Sequence, residues 1–224
     1  MLVIAVDGPA GSGKSSVCRG VASRLGLSYL DTGAMYRAVT WALLQAGTDL
    51  ADPAAIAAAA APLSIVSGTD PGHPTIAVNA TDVSDPIRGD DVTAAVSAVA
   101  AVPQVRAQLV ALQRAEVDRA REQGTGIVVE GRDITTVVLP DADLKVYIDA
   151  DPQVRAERRA AQDRDRGAGE RDVQATRDGL IARDAKDSTR AASPLTIAPD
   201  AVVVDTTHLD LAQSIAAVCA LAVP

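Results

Sequence analysis

One run of eight residues constrains this chain more than any other: Gly8-Pro9-Ala10-Gly11-Ser12-Gly13-Lys14-Ser15. It is a full match to G-x-x-x-x-G-K-[ST], a glycine-rich loop whose backbone N–H groups cradle phosphates. Its context agrees. An apolar run, Leu2 to Val6, precedes it and reads as a strand, and a helical stretch, Lys14 to Leu25, follows it. Glycines let the backbone wrap an anion, and the helix N-terminus adds the positive end of its dipole. Lys14 is expected to reach the β- and γ-phosphates and the Ser15 hydroxyl to ligate Mg²⁺, with Ser16 beside it. A strand–loop–helix of this kind commits the chain to an α/β architecture built around a nucleoside triphosphate.

The rest of the chain continues that pattern. Strands are expected at Ser28–Leu30, Ile127–Glu130, Leu144–Asp149 and Ala201–Val204, alternating with helices at Ala34–Ala46, Pro103–Gln123, Pro152–Arg166, Asp172–Ala185 and Leu211–Ala222. Apart from Ser28–Leu30, the strands, Leu2–Val6 included, are rich in Val, Ile and Leu without alternation, as parallel strands buried on both faces are. The expectation is a five-stranded parallel sheet with helices on both faces, a three-layer fold. After a short helix, Ala54–Ala61, the pattern breaks. Three short β-type pieces, Leu63–Val66, Thr75–Val78 and Asp82–Val83, are separated by turn residues and read as a small antiparallel insert. The stretch from Arg155 to Arg171 is dense in charge around Gly167 and Gly169. It reads either as a solvated helix–loop or as a mobile cover that contacts phosphate. At 224 residues the chain suits one domain.

Composition removes several classes of function. Aromatic residues are 2% of the chain and Phe is absent, which argues against single-strand nucleic-acid binding by stacking. A net charge of −8 argues against a general binder of phosphate backbones. No segment approaches the roughly 18 apolar residues of a membrane span, and the N-terminus lacks the features of a signal peptide. Cys18 and Cys219 lie in apolar stretches and suggest buried thiols in a cytoplasmic protein. His73 and His208 are too far apart in sequence to suggest a metal-ligand cluster.

The cations are almost all arginine: of 21 Lys and Arg residues only Lys14, Lys145 and Lys186 are lysines. Codon bias explains scattered arginines. It does not explain Arg132, which follows the strand Ile127–Glu130 at the position where ligands gather in open parallel sheets. An acceptor that is itself a phosphate adds charge beside an anionic triphosphate, and several arginines must offset it. The chain lacks the Asn/Thr-Lys-x-Asp sequence that reads guanine and the longer apolar strand plus Asp-Glu of motor ATPases. A compact kinase remains.

These segments together carry a resemblance. The phosphate loop, Leu30-Asp31-Thr32-Gly33-Ala34-Met35-Tyr36-Arg37, Gly131-Arg132-Asp133-Ile134-Thr135-Thr136-Val137-Val138 and Arg183-Asp184-Ala185-Lys186-Asp187-Ser188-Thr189-Arg190 resemble the bacterial cytidylate kinases, in order and across the whole chain. The resemblance implies a single P-loop kinase domain over residues 1–224. Within it would lie a monophosphate-binding region at 32–106, its antiparallel insert at about 63–88, and a lid at 155–171. It implies transfer of a phosphoryl group from ATP, with Mg²⁺, to CMP or dCMP, by a cytoplasmic monomer without nucleic-acid or membrane partners. Carried over residue by residue, Arg37, Arg132 and Arg190 would hold the acceptor phosphate. Thr32, where the family often has Ser, would face the sugar with Arg183 and Asp187, and Ser97, Arg106 and Asp133 would read the base. Of the lid arginines, Arg158, set with ATP, and Arg159, set with Lys14, Arg132 and Arg190, are both candidates to neutralise the transferring group, and helical phase at the lid boundary leaves the choice between them open. A kinase for another small acceptor, such as shikimate or dephospho-coenzyme A, and a non-catalytic nucleotide-dependent switch are the alternatives.

Overall fold

The computed structural model describes residues 1–165, 172–190 and 193–222. Five parallel strands form the central sheet: β1 (Val3–Asp7), β2 (Ser28–Asp31), β6 (Ile127–Glu130), β7 (Leu144–Asp149) and β8 (Val202–Asp205), in the order β2-β6-β1-β7-β8. Because side chains alternate across a strand, β1, β2 and β6 feed two cores. Val3 and Ala5 of β1 join Leu30, Ile127 and Val129 against α2 (Thr32–Gln45), α3 (Pro53–Ala60), α4 (Asp90–Ala100) and α5 (Pro103–Glu122). Ile4 and Val6 join Tyr29, Val128, Val146 and Ile148 against α1 (Lys14–Leu25) and α8 (Leu211–Ala222). The expected three layers are present.

The antiparallel insert is a three-stranded sheet of β3 (Ile65–Ser67), β4 (Ile76–Val78) and β5 (Thr81–Asp82). The loop between β3 and β4 ties it to the main body at two places. The Tyr29 N–H donates to the Thr69 carbonyl at 2.9 Å, and Arg19 on α1 donates to the carbonyls of Pro71 and Gly72. The remaining helices, α6 (Pro152–Asp165) and α7 (Val173–Ser188), pack on each other. Residues 166–171 of the expected lid, with Gly167, Gly169 and Arg171, lie outside the described residues.

Three expectations need correction. Strand β8 is not buried on both faces: Val202 and Val203 are 42% and 51% exposed, because among the described residues β8 is an edge strand paired with β7 alone. Helix α4 goes unforeseen, since its N-cap, Gly89, offers no side-chain cap. So does a single π-type turn, Ile134–Val138. That turn forms because Asp7, fully buried at the end of β1, accepts hydrogen bonds from Ile134 N, Thr135 N and Thr135 Oγ1 at 2.6–2.9 Å. Burial pushes the Asp7 carboxyl up from its ordinary range, against those three bonds.

Candidate active site

The carboxyl ends of the three strands β2, β6 and β1 lie in register, Asp31 opposite Glu130 and Glu130 opposite Val6. A cleft of about 1020 Å³ opens over them. That is at the upper end of the usual range for one small ligand, roughly 300–1,000 Å³. Two substrates placed end to end would use such a volume.

The phosphate loop forms one wall. Gly8, at φ +149°, passes so close to β7 that a Cβ would collide with the Ile148 carbonyl oxygen. Gly11 has φ +77°, a left-handed conformation that a side chain strains. Ala10, Gly11, Ser12, Gly13, Lys14, Ser15 and Ser16 line the cleft, whereas Gly8 and Pro9 do not. The Pro9 carbonyl accepts from Ser12 Oγ and from Lys14 Nζ, each at 3.1 Å. Burial, with the neighbouring Arg132 second, pushes the Lys14 ammonium down to about 8.

Glu130 sits under the loop and lines the same cleft. It accepts from the Tyr29 hydroxyl and interacts with Ser15. Burial, and then Asp31, raise its carboxyl above the ordinary range, while Lys14 opposes them. Sequence reasoning used Glu130 only to mark a strand end. The signal available was an acid closing the strand beside the loop. Ser15 and Glu130 supply hard oxygen donors of the kind Mg²⁺ takes. Among the described residues no cluster of three or more His, Cys, Asp or Glu forms a protein-only metal cage. That donor set suits an ion carried largely by nucleotide phosphates and water.

Arginines line the same cleft, most of them aimed by a specific partner. Asp31 caps α2 through the Ala34 N–H at 2.9 Å, which starts the helix at Thr32 rather than Ala34 and sets the phase of Arg37. Arg37 donates to the Ile87 carbonyl and to Thr93 Oγ1, each at 3.0 Å. Burial pushes its guanidinium down to about 9, helped by Arg183, Arg88 and Arg159. Arg183 is pushed down to about 10 by burial and by Arg132. These mutually repelling cations surround a space that an anion would fill. Asp187, 4% exposed, pairs with Arg132 at 3.2 Å and Arg190 at 3.4 Å, so one carboxylate aligns two arginines. Arg88, absent from the residues picked out by sequence, also lines the cleft and pairs with Asp31 at 3.2 Å. It sits on a 3₁₀ turn of the insert, and neither motif nor spacing marks it.

Thr32 lines the cleft while its hydroxyl donates to the Glu130 carbonyl at 2.7 Å. Deeper, Arg106 and Asp133 form a buried ion pair. Arg106 also donates to the Ala100 carbonyl at 3.1 Å and lies over the Tyr36 ring, 5.4 Å from its centroid. Ser97 lines the cleft near them, carried by α4. On the donor side Arg158 is fixed by the Thr206 hydroxyl and the carbonyls of Thr206 and Leu209 at 2.7–3.2 Å. Arg159 pairs with Asp163 one turn along α6. Apart from Gly8 and Pro9, every residue expected at the site lines this one cleft.

Comparison with known proteins adds identity to this geometry. The family model described as cytidylate kinase matches residues 4–223. Proteins named cytidylate kinase from Streptomyces avermitilis, Streptomyces griseus and Streptomyces coelicolor are 54%, 55% and 56% identical over 220 residues, covering 98% of this chain and 92% of each relative. A solved structure from Eubacterium ventriosum superposes with a TM-score of 0.50, covering 99% of this chain and 98% of that one. At 11% identity it is similar in fold alone.

Proposed function

The chain belongs to the cytidylate kinase family, and from that membership we propose that it transfers the γ-phosphoryl group of ATP to CMP or dCMP, giving ADP and CDP or dCDP. The observation that carries the reading is the single cleft in which a phosphate loop faces a set of buried arginines. Phosphoryl transfer asks a protein for position and charge neutralisation more than for covalent chemistry, and this cleft supplies both.

Backbone N–H groups from Gly11 to Ser15, with Lys14, hold the β- and γ-phosphates of ATP. Ser15, with Glu130 nearby, would help hold the Mg²⁺ that accompanies ATP, and the ion would supply neutralisation of phosphate charge. Arg37, Arg132 and Arg190 take the acceptor phosphate, and Asp187 keeps the last two aligned. Arg183, Asp187 and Thr32 face the ribose. Asp133 accepts from the cytosine amino group, while Arg106 and Ser97 meet N3 and O2. Uracil turns an acceptor oxygen toward Asp133 instead, leaving buried polar groups without partners. Arg159 neutralises charge on the transferring group, and Arg158 serves the donor side. Residues 32–106 act as the monophosphate-binding region and 155–171 as a lid that excludes water. A cytoplasmic monomer fits this chemistry, and among the described residues no single helix is long and apolar enough to cross a membrane.

A coupled ADP-release assay across AMP, GMP, CMP, UMP and dCMP tests the assignment. CMP and dCMP should give the highest kcat/KM. Equal rates on all five would overturn the base reading, and tight ATP binding without turnover on any acceptor would favour a nucleotide switch.

A further inference from the structure

The apex of the phosphate loop is gripped from outside by two helices. Ala10 donates its N–H to Asp184 Oδ1 at 3.0 Å, and its carbonyl accepts from Arg155 Nη1 at 3.0 Å. Arg155, on α6, and Asp184, on α7, are joined to each other as an ion pair, with side chains 7% and 16% exposed. Gly11 presses against the same place: a Cβ there would stand 3.1 Å from the Arg155 carbonyl oxygen and 3.2 Å from Leu180 Cδ1. The loop needs an external hold because Gly8, Gly11 and Gly13 all have positive φ. Glycine loses more conformational freedom on ordering than any other residue.

The placement of Asp184 gives the grip a second consequence. It follows Arg183 directly and precedes Asp187 by less than one turn, so α7 faces the acceptor arginine cluster and the donor loop at once. Neither Arg155 nor Asp184 lines the cleft. We propose that Arg155 and Asp184 are positioning residues that lock the phosphate loop to α7, setting the separation between donor and acceptor phosphates at the value transfer requires. Transfer needs reacting atoms about 3–3.5 Å apart, and a displacement of about 1 Å costs on the order of 100-fold. This inference rests on the phosphoryl-transfer reading of the cleft.

The test compares the full-length wild-type protein with Asp184→Asn and with the double variant Arg155→Met/Asp184→Leu. Asparagine keeps an oxygen for the Ala10 N–H but loses the ion pair. The double variant replaces the pair with apolar groups of similar size, a change that often preserves stability. Melting temperature, kcat, KM for both substrates, and the ratio of transfer to CMP over ATP hydrolysis without CMP are measured. The expected result is a kcat lower by about tenfold in Asp184→Asn and about 100-fold in the double variant, with each KM within about threefold of wild type. The transfer-to-hydrolysis ratio should fall with kcat, because water needs no acceptor helix. A double variant that melts like wild type and turns over at wild-type kcat would overturn the proposal. Transfer and hydrolysis falling in proportion would also overturn it, since that pattern marks a damaged donor loop. Should the double variant not fold, Asp184→Asn alone decides between these outcomes. Wild-type protein inactive on CMP would instead refute the functional reading itself.

Discussion

Replacing Asp133 by Asn separates base reading from packing, because the change keeps shape and one oxygen while removing the charge opposite Arg106. The pair is almost fully enclosed, with side chains 6% and 7% exposed. Breaking a buried pair outright costs about 3–5 kcal/mol. Arg106 keeps the Ala100 carbonyl and the Tyr36 face, and asparagine still offers an acceptor, so the loss should sit at or below about 3 kcal/mol. For a chain of this length that corresponds to a drop of roughly 6–12 °C in Tm, which leaves the protein folded at 25 °C. The effect on discrimination follows from hydrogen-bond inventory. With its oxygen turned to Arg106, the new asparagine side chain presents an N–H₂ toward the base. That group repels the cytosine amine and suits the uracil O4. Leaving one buried donor without a partner costs about 2 kcal/mol for CMP, and the new bond contributes about 1 kcal/mol for UMP. The difference is about 3 kcal/mol, roughly a 100-fold fall in the CMP/UMP ratio of kcat/KM. Coupled ADP release with each monophosphate measures the ratio, and thermal melting measures stability. A ratio within twofold of wild type beside a lowered Tm would refute the reasoning, since the pair would then be structural and the base read elsewhere.

Lys14, pushed down to about 8 by burial and by Arg132, should make ATP affinity of the free protein fall as pH rises through 8. Isothermal titration in buffers of different ionisation enthalpy should then show proton uptake on binding, which Lys14→Arg should abolish over that range. With its folded value below the unfolded one near 10.5, the same lysine should make the ligand-free protein gain stability between about pH 8 and 10.5, where the unfolded chain binds more protons. CMP at 100 times its Kd should stabilise the fold by about 2.7 kcal/mol, a Tm rise of roughly 5–11 °C. Cytidine, which has no phosphate to relieve the Arg37 and Arg183 cluster, should raise Tm by much less at equal concentration, and an equal shift would contradict the phosphate assignment. Glu130→Gln keeps an acceptor for Tyr29 but removes the charge beside Ser15, so the Mg²⁺ concentration for half-maximal activity should rise roughly tenfold. An unchanged Mg²⁺ requirement would remove Glu130 from the metal's surroundings.

What was legible in the sequence is what local chemistry encodes. The phosphate loop reads directly because glycine positions and a lysine–serine pair have one structural use at a strand–helix junction. Arg132 and Asp133 are visible because they follow a strand directly, and Arg37 because it sits in a motif that opens a helix after a short strand. Glu130 and Arg88 were missed for a different reason. Their roles come from register and from the insert folding back over the sheet, through contacts such as Arg88 with Asp31, 57 residues apart. The same holds for Asp7. In sequence it is a polar stop to an apolar run, whereas in the fold it holds the turn that carries Asp133 into place. Helix α4 was overlooked because its start has no side-chain cap, and it is stabilised by burial of Val92 and by packing of Val96 and Val99 in the core rather than by propensity.

The overall charge of −8 and the ligand it is built to hold pull in opposite directions, and the cleft shows how they are reconciled. Burying arginine costs several kcal/mol per ion unless each charge is paired and hydrogen-bonded. Here Asp187 serves two arginines, Asp133 serves Arg106, and Asp184 serves Arg155. Among the described residues Arg37 hydrogen-bonds to neutral oxygens, at Ile87 and Thr93, with Asp31 its nearby acid, and Arg183 stands beside Arg132 and Arg159 as well as Asp187 and Asp184. These two are also the cleft arginines whose guanidinium groups are pushed down furthest, to about 9 and about 10. The acids thus fix the geometry of some cations and only partly offset the burial and mutual repulsion of others, and the latter set the demand for an anion. An acidic chain can therefore carry a site for a phosphate-rich pair of ligands, because the surplus that attracts them is local to a few buried arginines and does not depend on the sign of the whole.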